Sequence, residues 1–169
     1  HHSAVVEEGA RVADNVSVGA FSYVCAGAVV ESGSVIHPQS YIGPDAHIGE
    51  NSLIYSGVRI GPRVKVGARA IIHYNTTIGA DGFSFVTPEM GSVEAAKATG
   101  EIGDSTNVTI ERIASLGSVI LGDDVEVGAN SSIDKGTIIS TSVGNGTKID
   151  NQVQVGHNVQ IGENCMICG

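Results

Sequence analysis

The sequence predicts an all-β fold, a parallel β-helix in which short strands wind into a three-sided tube. Three observations support this: aliphatic residues recur at every sixth position, small residues precede them by two, and large aromatics are scarce. Val or Ile occupies every step of one run: Val6, Val12, Val18, Val24, Val30, Ile36, Ile42, Ile48, Ile54, Ile60, Val66, Ile72 and Ile78. Ordinary residue frequencies exclude chance agreement over such a run. The repeat therefore defines the fold.

The six-residue unit reads small-x-aliphatic-Gly-x-x. A period of six fits neither an α-helix nor a heptad, whereas residues i and i−2 share one face of a strand. We therefore predict that both point into the tube and that residues eighteen apart stack in columns. Gly follows the aliphatic residue at Gly19, Gly43, Gly49, Gly61, Gly67 and Gly79. We expect Gly to allow the turn, since it adopts positive φ without steric penalty.

Composition agrees with one folded domain over residues 1–169. Hydrophobic residues make up 41% and charged residues 16%, whereas aromatics reach only 4% with no Trp, as a narrow bore filled by Val and Ile requires. A net charge of -9 argues against binding to nucleic acid or to an anionic membrane surface. No apolar run is long enough to span a bilayer. We predict no metal and no cofactor, since Cys165 and Cys168 have zinc or redox spacing but lack a second pair.

The six-residue repeat is interrupted after Ile78. Residues 79–101 carry no hexad and are predicted to form one extruded loop, after which Ile102 and Val108 resume the repeat. The phase then slips twice. The aliphatic positions predicted to point inward after these slips are Leu121, Val127, Ile133, Ile139, Val143, Ile149, Val155, Ile161 and Ile167.

Histidines are the first candidates for chemistry, because imidazole changes charge near neutral pH. His157 falls at a predicted corner, two residues past the inward Val155, where a tolerated turn residue is the alternative to a functional one. His37 and His73 share one column with Tyr55 between them. We interpret these as stacked rings for packing or an interface, with ligation of a metal as the alternative.

Three motifs in this order carry a family resemblance: IGADGFSF, VEVGANSSIDKGTI and GTKIDNQVQVGHNVQIGENC. They resemble the UDP-3-O-acylglucosamine N-acyltransferases of lipid A biosynthesis, and nearly the entire chain corresponds to the β-helical middle of that family. The resemblance implies a left-handed coil, a homotrimer with sites between prisms, and a cytoplasmic enzyme of the Gram-negative type. The family's N-terminal uridine-binding domain and C-terminal helices are absent from the sequence. We therefore expect the isolated chain to be inactive or nearly so.

The resemblance also implies a reaction. A 3-hydroxyacyl group would pass from acyl carrier protein to the 2-amino group of a UDP-3-O-acylglucosamine, with no cofactor. By the family pattern His157 is the general base, a task that suits imidazole because its ordinary pKa of about 6.5 leaves it mostly neutral at cytoplasmic pH. Asp150 matches the acidic position of the motif and is expected to orient or support the imidazole. The alternative for Asp150 is a turn residue that satisfies backbone N–H groups.

Substrate contacts are expected from Asp81, Phe83, Phe85, Asn151 and Asn158. The two Phe rings cannot enter the bore, so we expect them to cover an acyl chain or a neighbouring subunit. The alternative is that they fold the loop onto its own prism.

One departure from the family, one basic cluster and two competing functions remain open. Lys135 stands where the family commonly has Arg. A cluster of four basic residues is predicted either to receive a diphosphate or the acidic carrier protein, or to be solvated turn residues: Arg59, Arg63, Lys65 and Arg69. The competing functions are a γ-type carbonic anhydrase-like zinc enzyme, which His37 and His73 would serve, and a non-catalytic β-helical scaffold.

Overall fold

A computed structural model describes residues 1–88, 91–101 and 109–169. The chain divides into two units: unit 1 is His1–Gly82 with Ser115–Gly169, and unit 2 is Phe83–Ala114. Among the described residues no helix has the length and apolar character needed to cross a membrane.

Unit 1 is built from very short strands. Strands β1 to β12 are Val5–Val6, Arg11–Val12, Ser17–Val18, Tyr23–Val24, Val29–Val30, Val35–Ile36, Tyr41–Ile42, His47–Ile48, Leu53–Ile54, Arg59–Ile60, Lys65–Val66 and Ile71–Ile72. Strand β13 is Thr77–Asp81. After unit 2, strands β16 to β23 are Val119–Leu121, Glu126–Val127, Ser132–Lys135, Thr141–Val143, Lys148–Ile149, Gln154–Val155, Gln160–Ile161 and Met166–Ile167.

These strands form three parallel sheets of seven strands each. The first sheet has the order β1-β4-β7-β10-β13-β18-β21, the second β2-β5-β8-β11-β16-β19-β22, and the third β23-β20-β17-β12-β9-β6-β3. Val5 pairs with Tyr23 and Tyr23 with Tyr41, so the register advances eighteen residues per coil. The predicted three-sided parallel β-helix is confirmed, and it belongs to the left-handed type.

The inward columns form the core. The largest fully buried side chains include Ile36, Ile42, Ile48, Ile54, Ile60, Ile72, Ile78, Leu121 and Ile133. The small residues two positions earlier are also buried, as predicted. Where the small residue is Ser, its hydroxyl donates to a carbonyl at a nearby corner, as Ser34 does to Gly49 at 2.8 Å. The bore therefore accepts polar side chains only with their hydrogen bonds made.

The glycines after the aliphatic positions have a different role from the one predicted. A Cβ on Gly49 would lie 2.6 Å from the carbonyl carbon of Gly67 in the next coil. Of the six glycines in this position only Gly79 has positive φ. Positive φ occurs instead two residues later, at Gln39, Asp45, Asn51, Arg63, Arg69 and Asn75. The turn prediction was wrong because these glycines allow close stacking of coils, whereas Asn and Asp supply much of the left-handed backbone.

The extruded segment is confirmed with different bounds. Residues 79–81 extend β13: after a register shift at Gly79, Ala80 pairs with Asp134 and Asp81 with Lys135 of β18. The chain leaves unit 1 after Gly82 and re-enters it at Ser115. The prediction placed the exit too early because residues 79–81 pair through their backbone and carry no hexad signal. Ile102 and Val108 lie outside the described residues.

The second phase slip produces a further difference. Ile133 is fully buried, but Ile139 is 61% exposed. Residues between β18 and β19 bulge outward, and Thr141 and Val143 take the inward positions. The predicted inward position of Ile139 was wrong, because the corner contains four additional residues before the repeat resumes.

In its described residues, unit 2 contains a two-stranded antiparallel ribbon and one helix. Strand β14, Phe85–Val86, pairs with β15, Glu111–Arg112, and helix α1 spans Ser92–Thr99.

Candidate active site

His157 lies on the edge between the first and second sheets, which we call the His157 edge. On this edge the chain also leaves unit 1, at Gly82, and returns, at Ser115. The Gly82 N–H donates to Ser115 Oγ at 3.3 Å, which joins the two ends of the excursion. A Cβ on Gly82 would lie 2.6 Å from His157 Cδ2, so the imidazole packs directly against the bare backbone.

Two side chains hold one nitrogen of the imidazole. His157 Nδ1 lies 2.8 Å from Asn158 Nδ2 and 3.2 Å from Thr137 Oγ1. The ring is half-buried. Among the described residues Nε2 has no hydrogen-bond partner. The ring is therefore fixed from one side and open on the other.

The corner between β18 and β19 supports this arrangement. Asn158 Oδ1 accepts a hydrogen bond from the Thr137 backbone N–H at 2.8 Å, and Asn158 Nδ2 donates to Thr137 Oγ1 at 3.1 Å. The Asn158 N–H donates to Thr141 Oγ1 at 3.0 Å. Asn158 has a φ of 64°, a conformation that Asn tolerates better than most residues. Sequence reasoning missed Thr137, because no hexad signal marks a residue in a bulged corner.

An ion pair lies next to this corner. Lys135 Nζ is 2.9 Å from Asp81 Oδ1, and the Lys135 side chain is 18% exposed whereas that of Asp81 is 56% exposed. The pair joins the last residues of two neighbouring strands, β13 and β18. The predicted substrate residue Asp81 therefore lies one residue before the chain leaves unit 1, with its carboxylate partly neutralised.

Asp150 and Asn151 lie on a different edge, between the third and first sheets, which we call the Asp150 edge. Asp150 Oδ1 accepts hydrogen bonds from Asn151 N at 2.7 Å and from Asn151 Nδ2 at 3.3 Å. Strand β21 separates this edge from His157. Among the described residues of one chain, no hydrogen bond joins Asp150 to His157. A single copy thus does not bring the two predicted catalytic residues together.

The two Phe residues lie in unit 2. The Phe83 and Phe85 rings meet edge to face, with centroids 4.9 Å apart and an interplanar angle of 61°. The Arg112 guanidinium carbon lies 4.5 Å from the Phe85 ring centroid, a cation–π contact. Phe83 is 84% exposed and Phe85 37%. Within unit 2 the pair presents an open apolar surface.

The predicted ring column on the Asp150 edge is confirmed. Tyr55 stacks between His37 and His73, with centroids 5.1 Å apart on each side and interplanar angles of 8°. His73 Nε2 also lies 2.8 Å from Glu126 Oε1. Within the described ranges, no three His, Cys, Asp or Glu side chains converge as a metal site would need. The zinc alternative therefore gains no support from His37 and His73.

The four basic residues do not form one patch. Arg59 donates to main-chain carbonyls that include Gln39 O at 2.6 Å, and Arg63 donates to Leu116 O at 3.2 Å. Arg69 pairs with Asp124 on the edge between the second and third sheets. Lys65 lies on the second sheet. Of the two alternatives left open for these residues, the structure therefore does not favour a single anion-binding patch, because they lie on different sides of the coil.

Two tyrosines of the first sheet, Tyr23 and Tyr41, have raised pKa values. A hydrogen bond from Tyr23 lowers the pKa of Glu7 and raises that of Tyr23. A hydrogen bond with Cys25, together with burial, raises the pKa of Tyr41 to about 12. The three cysteines, Cys25, Cys165 and Cys168, are free thiols.

Comparison with known proteins assigns the class. The family model for bacterial transferase hexapeptides (six repeats) matches residues 45–80 and 140–169, and that for the hexapeptide repeat of succinyl-transferase matches residues 113–135. The structure of an Arabidopsis UDP-N-acetylglucosamine acyltransferase aligns with 100% of this chain over 52% of its own length, with a TM-score of 0.78 and 18% sequence identity. The structure of a Francisella novicida UDP-N-acetylglucosamine acyltransferase aligns with 96% of this chain over 45% of its own length, with a TM-score of 0.63 and 26% sequence identity. Both models describe hexapeptide repeats, so the chain is similar to acyltransferases built from these repeats.

Sequence relatives narrow the relationship. The chain is 48% identical over 102 residues to a UDP-3-O-acylglucosamine N-acyltransferase of Ruegeria pomeroyi, which covers 60% of this chain and 28% of that protein. An enzyme of the same name from Paracoccus denitrificans is 44% identical over 102 residues, with the same coverage. Over these residues the chain is related to UDP-3-O-acylglucosamine N-acyltransferase. It spans less than a third of the length of these relatives.

Proposed function

We propose that this chain is the β-helical core of an N-acyltransferase with His157 as its general base. The enzyme would move a 3-hydroxyacyl group from acyl carrier protein to the 2-amino group of a UDP-3-O-acylglucosamine. The similarity to UDP-3-O-acylglucosamine N-acyltransferases supports both this acceptor and the N-acyl bond formed. The observation that carries the proposal is the partly exposed imidazole of His157, held at Nδ1 and packed against Gly82 on the edge where the chain leaves unit 1.

The chemistry needs a base because an ammonium group is no nucleophile. The 2-amino nitrogen attacks the thioester carbonyl carbon, and the proton it loses goes to the imidazole. The C–N bond forms, the C–S bond breaks, and the proton returns from the imidazolium to the departing thiolate. A single residue with a pKa near neutrality can perform both transfers.

The substrate would contact five residues. We propose that Asp81, Asn151 and Asn158 contribute polar contacts, and that Phe83 and Phe85 cover the acyl chain. The exposed edge-to-face ring pair supports the last assignment, since isolated solvent-exposed rings are otherwise unfavourable.

The proposed assembly is a homotrimer in the bacterial cytoplasm. Asp150 and His157 lie on different edges of one prism, so a support role for Asp150 requires a second copy. A cyclic trimer in which the His157 edge of one copy faces the Asp150 edge of the next would bring the two side chains together.

The test compares two histidine variants in the native polypeptide that contains this chain. We expect His157→Ala to lower transfer from acyl carrier protein thioester to UDP-3-O-acylglucosamine by about 10²–10⁴-fold, the usual contribution of a general base. His47→Ala is the matched control, because His47 is also partly exposed but pairs with Glu31 on the second sheet. Unchanged thermal unfolding of both variants would assign the loss to chemistry. Turnover by His157→Ala at the wild-type rate would remove the proposal.

A further inference from the structure

The side-chain amide of Asn158 has only one orientation that fits its neighbours. Its Oδ1 faces the Thr137 backbone N–H at 2.8 Å, and a backbone N–H can only donate. Turning the amide over would set its NH₂ group against that N–H. The backbone N–H of Thr137 therefore determines the orientation of the Asn158 amide.

This orientation determines which atom faces the imidazole. With Oδ1 toward Thr137, the Asn158 Nδ2 group points its hydrogens at His157 Nδ1, 2.8 Å away, and at Thr137 Oγ1, 3.1 Å away. An Nδ1 that accepts a hydrogen bond carries no proton. In the neutral ring the single proton must then be on Nε2.

We propose that Asn158 is a positioning residue that fixes the tautomer of His157, holding the ring proton on Nε2 in the resting chain. Its consequence for catalysis rests on the proposed function. With Nε2 protonated, Nδ1 is the nitrogen that accepts the proton of the 2-amino group, and the Asn158 Nδ2 group is the donor that the substrate replaces there.

Asn158→Asp replaces the donor of two hydrogen bonds, those to His157 Nδ1 and to Thr137 Oγ1, with an acceptor. One carboxylate oxygen can still accept from Thr137 N–H, while the other replaces Nδ2 with an acceptor that favours a proton on Nδ1. Asp also fits the local backbone, because Asp45 and Asp124 adopt φ of 56° and 57° at equivalent corner positions.

Asn15→Asp is the matched control. Asn15 Oδ1 accepts from Gly33 N–H and Asn15 Nδ2 donates to Ser32 Oγ, each at 3.2 Å, with no histidine among its hydrogen-bond partners in the described residues. The substitution is chemically identical to Asn158→Asp but should leave His157 unaffected.

The experiment reads ring nitrogen shifts in the full chain labelled with ¹⁵N-histidine, at a pH where the rings are neutral. We expect His157 to be protonated on Nε2 in the wild type and in Asn15→Asp, and on Nδ1 in Asn158→Asp. The same tautomer in Asn158→Asp and in the wild type would overturn the proposal.

Thr137→Val gives a second test that does not depend on the folding of Asn158→Asp. It removes the hydroxyl near Nδ1 and leaves the Asn158 amide in place. Retention of the Nε2 proton supports Asn158 as the determinant, whereas a proton on Nδ1 would assign the role to Thr137. Because the tautomer is read without substrate, these outcomes are independent of transfer. A loss of the proposed function would appear only in the acylation assay.

Discussion

Gly82 and His157 are packed so closely that residue 82 has no room for a side chain. A Cβ at this position would lie 2.6 Å from Cδ2, 2.7 Å from Cβ and 2.8 Å from Cγ of the histidine. Gly82 does not have positive φ, so its backbone alone does not require Gly. The imidazole is the reason that this position is bare.

We expect Gly82→Ala to lower acyl transfer by about 10- to 100-fold, because a displacement of the reacting group on the order of 1 Å has that effect. Gly156→Ala is the control, since a Cβ on Gly156 meets no atom within 4 Å although it neighbours His157 in sequence. Transfer rates and thermal midpoints of the two variants provide the comparison. Equal transfer by both would show that the ring tolerates displacement.

Ile133 and Ile139 show where the six-residue repeat agrees with the structure and where it does not. Both fit the six-residue period, but Ile133 is fully buried and Ile139 is 61% exposed. We expect Ile133→Ala to reduce the free energy of unfolding by about 2–5 kcal/mol, the usual effect of emptying a packed core site. Ile139→Ala should change it by less than about 0.5 kcal/mol. Urea unfolding measures both, and similar values would contradict the bulged corner.

These isoleucines also show where the sequence was informative. The inward columns were predictable because every coil packs the same positions into the bore. Ile48, Ile54 and Ile60 therefore occupy equivalent environments. A period carries no information where the chain departs from it. The phase slip before Val143 indicates extra residues in this part of the chain, but the period does not tell that the corner containing Thr137 holds them and that Ile139 is exposed.

The candidate site was predictable in part for a related reason. The family motif identified His157 and Asp150 as candidate residues. That they lie on two different edges follows only from knowing which sheet each strand joins after the two phase slips. Gly82 could have been found from its place beside Asp81 in the ADGF segment. Lys135 was noticed, yet its ion pair with Asp81 depends on strand pairing across a residue gap of more than fifty positions.

Asp124 should make stability depend on acid pH. A hydrogen bond from Arg69 lowers the pKa of Asp124 in the folded chain, and Arg69 Nε lies 2.7 Å from Asp124 Oδ1. A lowered folded pKa stabilises the fold above the unfolded pKa, and that contribution is lost as pH falls through the folded pKa. We expect Asp124→Asn to be less stable than wild type near pH 6 and to approach it as pH falls below about 4.

Denaturant unfolding across that pH range measures the Asp124 effect. Asp14→Asn is the control, because among the described residues Asp14 has no ion pair and no side-chain hydrogen bond. Its difference from the wild type should stay nearly constant over the same range. A constant difference for Asp124→Asn as well would show that the Arg69 pair does not contribute to stability.

Subunit mixing tests whether a site uses His157 from one copy and Asp150 from another. We expect His157→Ala and Asp150→Asn each to lose most transfer as homotrimers. Trimers reassembled from an equal mixture should regain about a quarter of wild-type activity, since a site is intact when one copy supplies the histidine and its neighbour the aspartate. Wild type mixed with the double variant controls for reassembly. If the two residues act within one chain, the mixture of single variants stays inactive, because no copy then carries both groups.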